Sequence, residues 1–168
     1  MKETAHITTT PKEFPRQPPV HSKFAFSHIL APTDFSQKSE IAVDYAVELA
    51  RRLGAQLTLL HVFPEPFDLD YIMGGIPAEL WVPAKEEARK KLDEEAERAK
   101  LAYQGIDSVL RTGVDLRQEI LDTARDISAD LVVLSTHGYT GWKHLLFGSE
   151  AEKILELATC PIMVVKSD

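Results

Sequence analysis

The residues with the strongest chemical signature are crowded into one stretch, Ser135-Thr136-His137-Gly138-Tyr139-Thr140-Gly141-Trp142-Lys143-His144-Leu145-Leu146-Phe147-Gly148-Ser149. Glycines bare the backbone and let it approach a charged group closely. Gly148-Ser149 stands directly before a segment with helical spacing. The first N–H groups of a helix are unpaired and lie at the positive end of its dipole. Successive N–H groups in such a turn form an anion nest, and the Ser149 hydroxyl adds a donor. The chemistry this suits is the holding of a phosphate. Gly-Ser before a helix is by itself equally a surface loop with a capping serine. Its place behind the continuous apolar run Leu131-Val132-Val133-Leu134 is what favours phosphate.

Two shorter segments stand at comparable places. In Ala31-Pro32-Thr33-Asp34-Phe35-Ser36 the Asp34 carboxylate is an acceptor suited to ribose hydroxyls or the edge of a base, although Asp34 and Ser36 serve equally well as caps of the next helix. In His61-Val62-Phe63 the backbone groups are released where a strand leaves its sheet and suit the edge of an adenine. His61 reads as a packed or hydrogen-bonded neighbour rather than a catalytic base, since no Ser or Cys nucleophile can be argued beside it. His137 and His144 are seven residues apart and do not have zinc-ligand spacing, nor do the other histidines with the single cysteine, Cys160. No Gly-x-x-x-x-Gly-Lys-Ser/Thr, no Gly-x-Gly-x-x-Gly after a strand and no Gly-x-Ser-x-Gly occurs. The phosphate loop of the common NTPases, the dinucleotide fingerprint and the hydrolase nucleophile elbow are therefore unsupported.

These segments need elements to position them, and strand and helix patterns alternate from Phe24 onward. Phe26–Ala31 reads as a strand stopping at Pro32. Ser36 caps a helix to Leu53, with Ala42, Tyr45, Ala46, Leu49 and Leu53 as its apolar stripe and Gly54 as its C-terminal cap. Gln56–Phe63 is a buried-type strand. A long loop from Pro64 is predicted to end at Pro83, which opens a highly charged helix to about Tyr103. Its inner stripe is Ala88, Leu92, Ala96, Ala99 and Tyr103, and its charges read as a solvated face with i,i+4 pairs. Ser108–Thr112 is a weak strand. Asp115 with Gln118 marks a helix start, followed by the stripe Leu116, Ile120, Leu121, Ala124 and Ile127. Leu131–Leu134 is a central strand. Ser149 and Glu152 form a capping box for a helix to Ala158, and Ile162–Val165 is the last strand. Strands joined by helices imply right-handed crossovers, a parallel sheet with helices on both faces, and ligands at the carboxyl ends of the strands.

The chain of 168 residues is of single-domain length. Residues 1–23 differ from the rest: Pro11, Pro15, Pro18 and Pro19 punctuate them, and Lys2, Lys12, Arg16 and Lys23 outweigh Glu3 and Glu13 by two charges. They read as a flexible arm, and residues 24–168 as the domain. Since the whole chain carries −7, the domain carries −9. That balance opposes binding to nucleic acid or an anionic membrane, which attract clustered Lys and Arg. It leaves room for one small phosphate ligand held by backbone N–H groups. No apolar run approaches a membrane span, and the start Met1–His6 is too polar for a secretory signal. With one cysteine, no disulfide within the chain is possible, and a cytoplasmic setting is expected.

From about Phe24 to Lys166 the chain resembles the universal stress protein family. That family's nucleotide motif reads Gly, two residues, Gly, nine residues, Gly, then Ser or Thr. Here Gly138, the nine residues Tyr139–Phe147 and Gly148-Ser149 match it, and Ser135 stands where the first glycine belongs. Pro32-Thr33-Asp34-Phe35-Ser36 and Cys160-Pro161-Ile162-Met163-Val164-Val165 are also similar to the family. The resemblance implies a doubly wound five-stranded parallel sheet of order 3-2-1-4-5, and a homodimer paired through Ile162, Met163, Val164 and Val165. It implies a nucleotide site of Pro32, Thr33, Asp34, Val62, Ser135, His137, Gly138, Tyr139, Gly148, Ser149 and Glu150. Asp34 would meet ribose or base, the Val62 backbone adenine, and Ser135, Gly138, Gly148 and Ser149 the phosphates. ATP, or ADP or AMP, is the implied ligand, with Mg²⁺ or Mn²⁺ bridging phosphate oxygens. No positioned base, arginine finger or Walker-type lysine is found, so at most a weak ATPase is expected. A stress-response regulatory module follows. The alternative is a nucleotide-independent dimeric interaction protein of the same fold; an enzyme of the wider adenine-binding superfamily lacks its motif after the first strand.

Overall fold

The computed structural model describes residues 26–65, 78–135 and 157–166. Five strands, β1 (His28–Pro32), β2 (Gln56–Pro64), β3 (Ile106–Gly113), β4 (Leu131–Ser135) and β5 (Ile162–Val165), form one sheet of order β3-β2-β1-β4-β5. Every pairing is parallel, so the sheet is the doubly wound one expected. The order reverses between β1 and β4, which is where such sheets open a crevice at their carboxyl ends.

Side chains alternate along each strand, and the two sets feed separate cores. Ile29, Ala31, Leu57, Leu59, Leu131 and Val133 pack with α1 (Gln37–Leu53) and α2 (Ala78–Lys100). Leu30, Leu60, Val62, Val132 and Leu134 pack with α3 (Leu116–Asp126) on the opposite face. Fully burying one such aliphatic side chain stabilises the fold by roughly 1.5–3 kcal/mol.

Local signals set the helix ends. The Ser36 side chain accepts from Ser39 N–H at 3.2 Å, capping α1. Gly54 closes it at φ +67, a left-handed conformation that costs glycine least. Asp115 caps α3 by accepting from the N–H groups of Arg117 and Gln118. The α1 stripe is rotated from the expected one: Val43, Val47 and Ala50 are buried with Ala42 and Ala46, while Tyr45 and Leu53 are exposed. Alanines and valines let this helix lie close to the sheet, and the larger residues stay at its flank.

The second helix departs further from expectation. It starts at Ala78, and Pro83 lies inside it. Pro83 removes only the bond to the residue-79 carbonyl, little more than a turn from the start. Trp81 packs edge-on against Phe63, ring centroids 5.6 Å apart, which ties the extra turn to the end of β2. Downstream, Ala88, Leu92, Ala96 and Ala99 are buried as the spacing predicts. The i,i+4 pairs Glu87–Lys91, Arg89–Asp93 and Lys90–Glu94 decorate the outer face. At the amino-terminal edge of the sheet, the Asp130 carboxylate accepts from the N–H groups of Ser27 (2.7 Å) and His28 (3.1 Å), joining β1 to β4. Residues 1–23, most of the loop from Pro64, and most of the expected helix from Ser149 to Ala158 lie outside the described residues.

Candidate functional site

The site is built where β1 leaves the sheet. Thr33 N–H donates to the Leu60 carbonyl at 2.8 Å, the last rung between β1 and β2. On one side of a parallel strand the N–H and C=O groups recur at every second residue. After Leu60 the next pair facing β1 is therefore that of Val62, and there β1 has already turned away. The Val62 side chain is buried on the α3 face, so backbone, not side chain, is what this residue directs toward the gap. The register Pro32↔Leu60, carried two residues on, sets Asp34 level with Val62. The register Ile29↔Leu131, carried four residues on, sets Thr33 level with Ser135, the last residue of β4. Pro32, Thr33, Asp34, Val62 and Ser135 are thus brought together at the crevice. His137, Gly138, Tyr139, Gly148, Ser149 and Glu150 lie outside the described residues.

A hydroxyl network shapes the turn that carries Asp34. The Thr33 Oγ1, buried, accepts from Phe35 N–H at 3.1 Å and lies 3.3 Å from Ser39 Oγ. Ser39 Oγ donates to the Ser36 carbonyl at 2.9 Å. Asp34 Oδ1 accepts from Ser36 N–H at 3.0 Å. Asp34 thus closes the turn before α1, whose cap is Ser36, and it stands at the crevice. Phe35 follows at φ +62, unusual for a residue with a side chain.

His61 is a packed neighbour, as its setting implied. It is 2 % exposed, its Nδ1 lies 2.9 Å from the Thr33 carbonyl, and its ring stacks on Phe35 with centroids 4.2 Å apart. A carbonyl only accepts, so Nδ1 carries the proton. Burial pushes the imidazole below its usual range, against the opposing pull of the Thr33 carbonyl and the Asp34 charge.

Sequence reasoning missed Glu95, which it placed on the solvated face. The structure puts this carboxyl beside the Thr33 hydroxyl, with only a tenth of its side chain exposed. Burial raises its pKa. A pocket opens beside it, bordered by Phe35, Glu40, Lys91 and Arg98. Helical spacing carried a signal for it: Leu92, Glu95 and Ala99 fall on one stripe. Phe35 gave no such signal, because its role depends on a left-handed backbone. At the far edge of the sheet, β5 pairs with β4 alone. Of its residues, Met163 and Val164 are exposed, Val165 is buried in the α1 core, and Ile162 packs partly into the α3 core.

The model of the universal stress protein family matches residues 25–166. The chain is 30% identical over 152 residues to the universal stress protein YxiE of Bacillus subtilis, covering 84% of this chain and 99% of that one. Its fold is similar to the solved structure of MJ0577 from Methanocaldococcus jannaschii, with a TM-score of 0.70, 27% identity, and coverage of 86% and 98% of the two chains. A universal stress protein of Archaeoglobus fulgidus, solved in complex with dAMP, shares the fold with a TM-score of 0.60 at 20% identity, over 84% of this chain and 99% of that one.

Proposed function

The chain belongs to the universal stress protein family, and from that premise we propose that it is an adenine-nucleotide-binding regulatory module, with ATP as ligand and slow or no hydrolysis. The observation that carries the reading is the gap where β1 turns off at Thr33, bordered by the Asp34 turn, the Val62 peptide and Ser135. An adenine edge offers a donor and an acceptor side by side, which a strand's N–H and C=O complement. In this reading Asp34 takes a ribose hydroxyl or a base donor, and Pro32 and Thr33 wall the base. The segment holding His137, Gly138, Tyr139, Gly148, Ser149 and Glu150 takes the phosphates. That a family member was solved with dAMP supports an adenine nucleotide as the ligand class. Among the described residues no three His, Cys, Asp or Glu side chains stand where they could hold a metal. A Mg²⁺ or Mn²⁺ ion would in this reading arrive with the phosphates and bridge their oxygens.

The domain in this reading is 24–168, with 1–23 an appended arm. The protein works in the cytoplasm as a homodimer paired through β5, where Met163 and Val164 offer an exposed apolar edge. Among the described residues no helix is long and apolar enough to cross a membrane.

Calorimetric titration with ATP–Mg²⁺ tests the reading. Micromolar binding that Asp34→Ala weakens at least tenfold is the expected result. A flat titration of the wild-type protein overturns it and favours the nucleotide-independent dimer, in which a bulky replacement of Gly148 leaves every activity intact.

A further inference from the structure

We propose that His61 is the positioning residue of this crevice, one imidazole holding both neighbours of Asp34 and so fixing the Asp34 carboxylate relative to the Val62 peptide. Its nucleotide consequence rests on the reading above. Its structural core does not.

Residues 61 and 62 are adjacent on β2 and face different ways. Val62 turns its side chain to the α3 core and its peptide toward the gap left by β1. His61 turns its side chain to the other face, where it reaches back to the loop that β1 becomes. There its Nδ1–H meets the Thr33 carbonyl at 2.9 Å, fixing the residue before Asp34. Its ring lies against Phe35 at 4.2 Å with an interplanar angle of 30°, fixing the residue after. Phe35 needs that support, because its φ of +62 is disfavoured for an L side chain and persists only where surroundings impose it. The ring is buried, so the contact is desolvated and has no competing water. Asp34 Oδ1 in turn closes onto Ser36 N–H at 3.0 Å, a bond available only while the turn keeps this shape. A ligand that uses both the Asp34 carboxylate and the Val62 peptide needs the two at one separation. The side chain immediately before Val62 sets it.

The test uses the full chain and two variants. His61→Phe keeps a ring against Phe35 and removes the donor to the Thr33 carbonyl. His61→Asn keeps a donor near the Nδ1 position and removes the ring that stacks on Phe35. Affinity for ATP–Mg²⁺ is read by calorimetry, and the turn by amide hydrogen exchange at Asp34, Phe35 and Ser36. The expected result is a tenfold or greater loss of affinity in His61→Phe and exchange at Phe35 and Ser36 at least tenfold faster. His61→Asn should recover part of that affinity because it keeps the donor, while exchange at Phe35 stays faster than wild type because the ring is gone. If His61→Phe binds like wild type with unchanged exchange, the inference is overturned. It is equally overturned if that variant only melts earlier, with affinity and exchange intact, which is the signature of packing alone. If the wild-type protein binds no ATP–Mg²⁺, the nucleotide reading falls, and the exchange rates alone decide the role of His61.

Discussion

Replacing Thr33 by Val isolates the hydroxyl on which the site's turn depends. The two side chains have the same shape and the same β-branch, so strand β1 and the packing around it are left in place. What is lost is one buried hydroxyl that accepts from Phe35 N–H at 3.1 Å, pairs with Ser39 Oγ at 3.3 Å and lies beside the Glu95 carboxyl. Ser39 keeps its bond to the Ser36 carbonyl, but Phe35 N–H loses its acceptor. Stranding one partly buried donor costs about 1–3 kcal/mol. A midpoint of about 2 kcal/mol in a domain this size lowers Tm by about 4–8 °C. Thr33→Ser is the control: it keeps the oxygen and drops one methyl, worth about 0.8 kcal/mol or a fall of roughly 2–3 °C. Scanning calorimetry of the three proteins reads the order. The reasoning is refuted if Thr33→Val melts within about 1 °C of wild type, or if Thr33→Ser melts below Thr33→Val.

Three other outcomes follow from the same geometry. Burial lowers the His61 pKa beneath its ordinary 6.5, so below that value the unfolded chain takes up a proton that the native ring refuses. The urea midpoint therefore falls as pH drops from about 7 toward 5, and His61→Phe flattens that part of the profile. At Gly54 the backbone is left-handed at φ +67, and no atom lies within 4 Å of an added Cβ. Gly54→Ala should thus cost only the conformational penalty of about 1 kcal/mol, a Tm fall of roughly 2–4 °C; a larger drop would reveal a contact that the geometry excludes. On the edge strand, Val164 is exposed, so Val164→Lys should leave the fold intact while converting the proposed dimer to monomer in light scattering behind a sizing column.

The strands and most helix ends were legible because they depend on neighbours in sequence. The Ser36 and Asp115 caps, the Gly54 stop and the apolar runs of β2 and β4 each act within a turn or a few residues. Where expectation and structure part, a distant residue intervenes. Pro83 reads as a helix start, yet Trp81 against Phe63 holds a further turn ahead of it. Glu95 reads as one charge among many on α2, yet the β1–α1 turn closes over it and removes its water. The α1 stripe shifted because close approach to the sheet rewards Ala42, Ala46 and Ala50 over the larger Tyr45 and Leu53.

Sequence alone therefore determined the parallel sheet, its order through the family resemblance, and the residues Asp34, Val62 and Ser135 that border the crevice. Only the tertiary structure decided how these are held. Periodicity and capping are short-range, while the bond from His61 to the Thr33 carbonyl spans twenty-eight positions of chain. The left-handed turn at Phe35 packs against a ring that another strand supplies. Such contacts exist once β1 and β2 lie side by side, and no local pattern in either strand announces them.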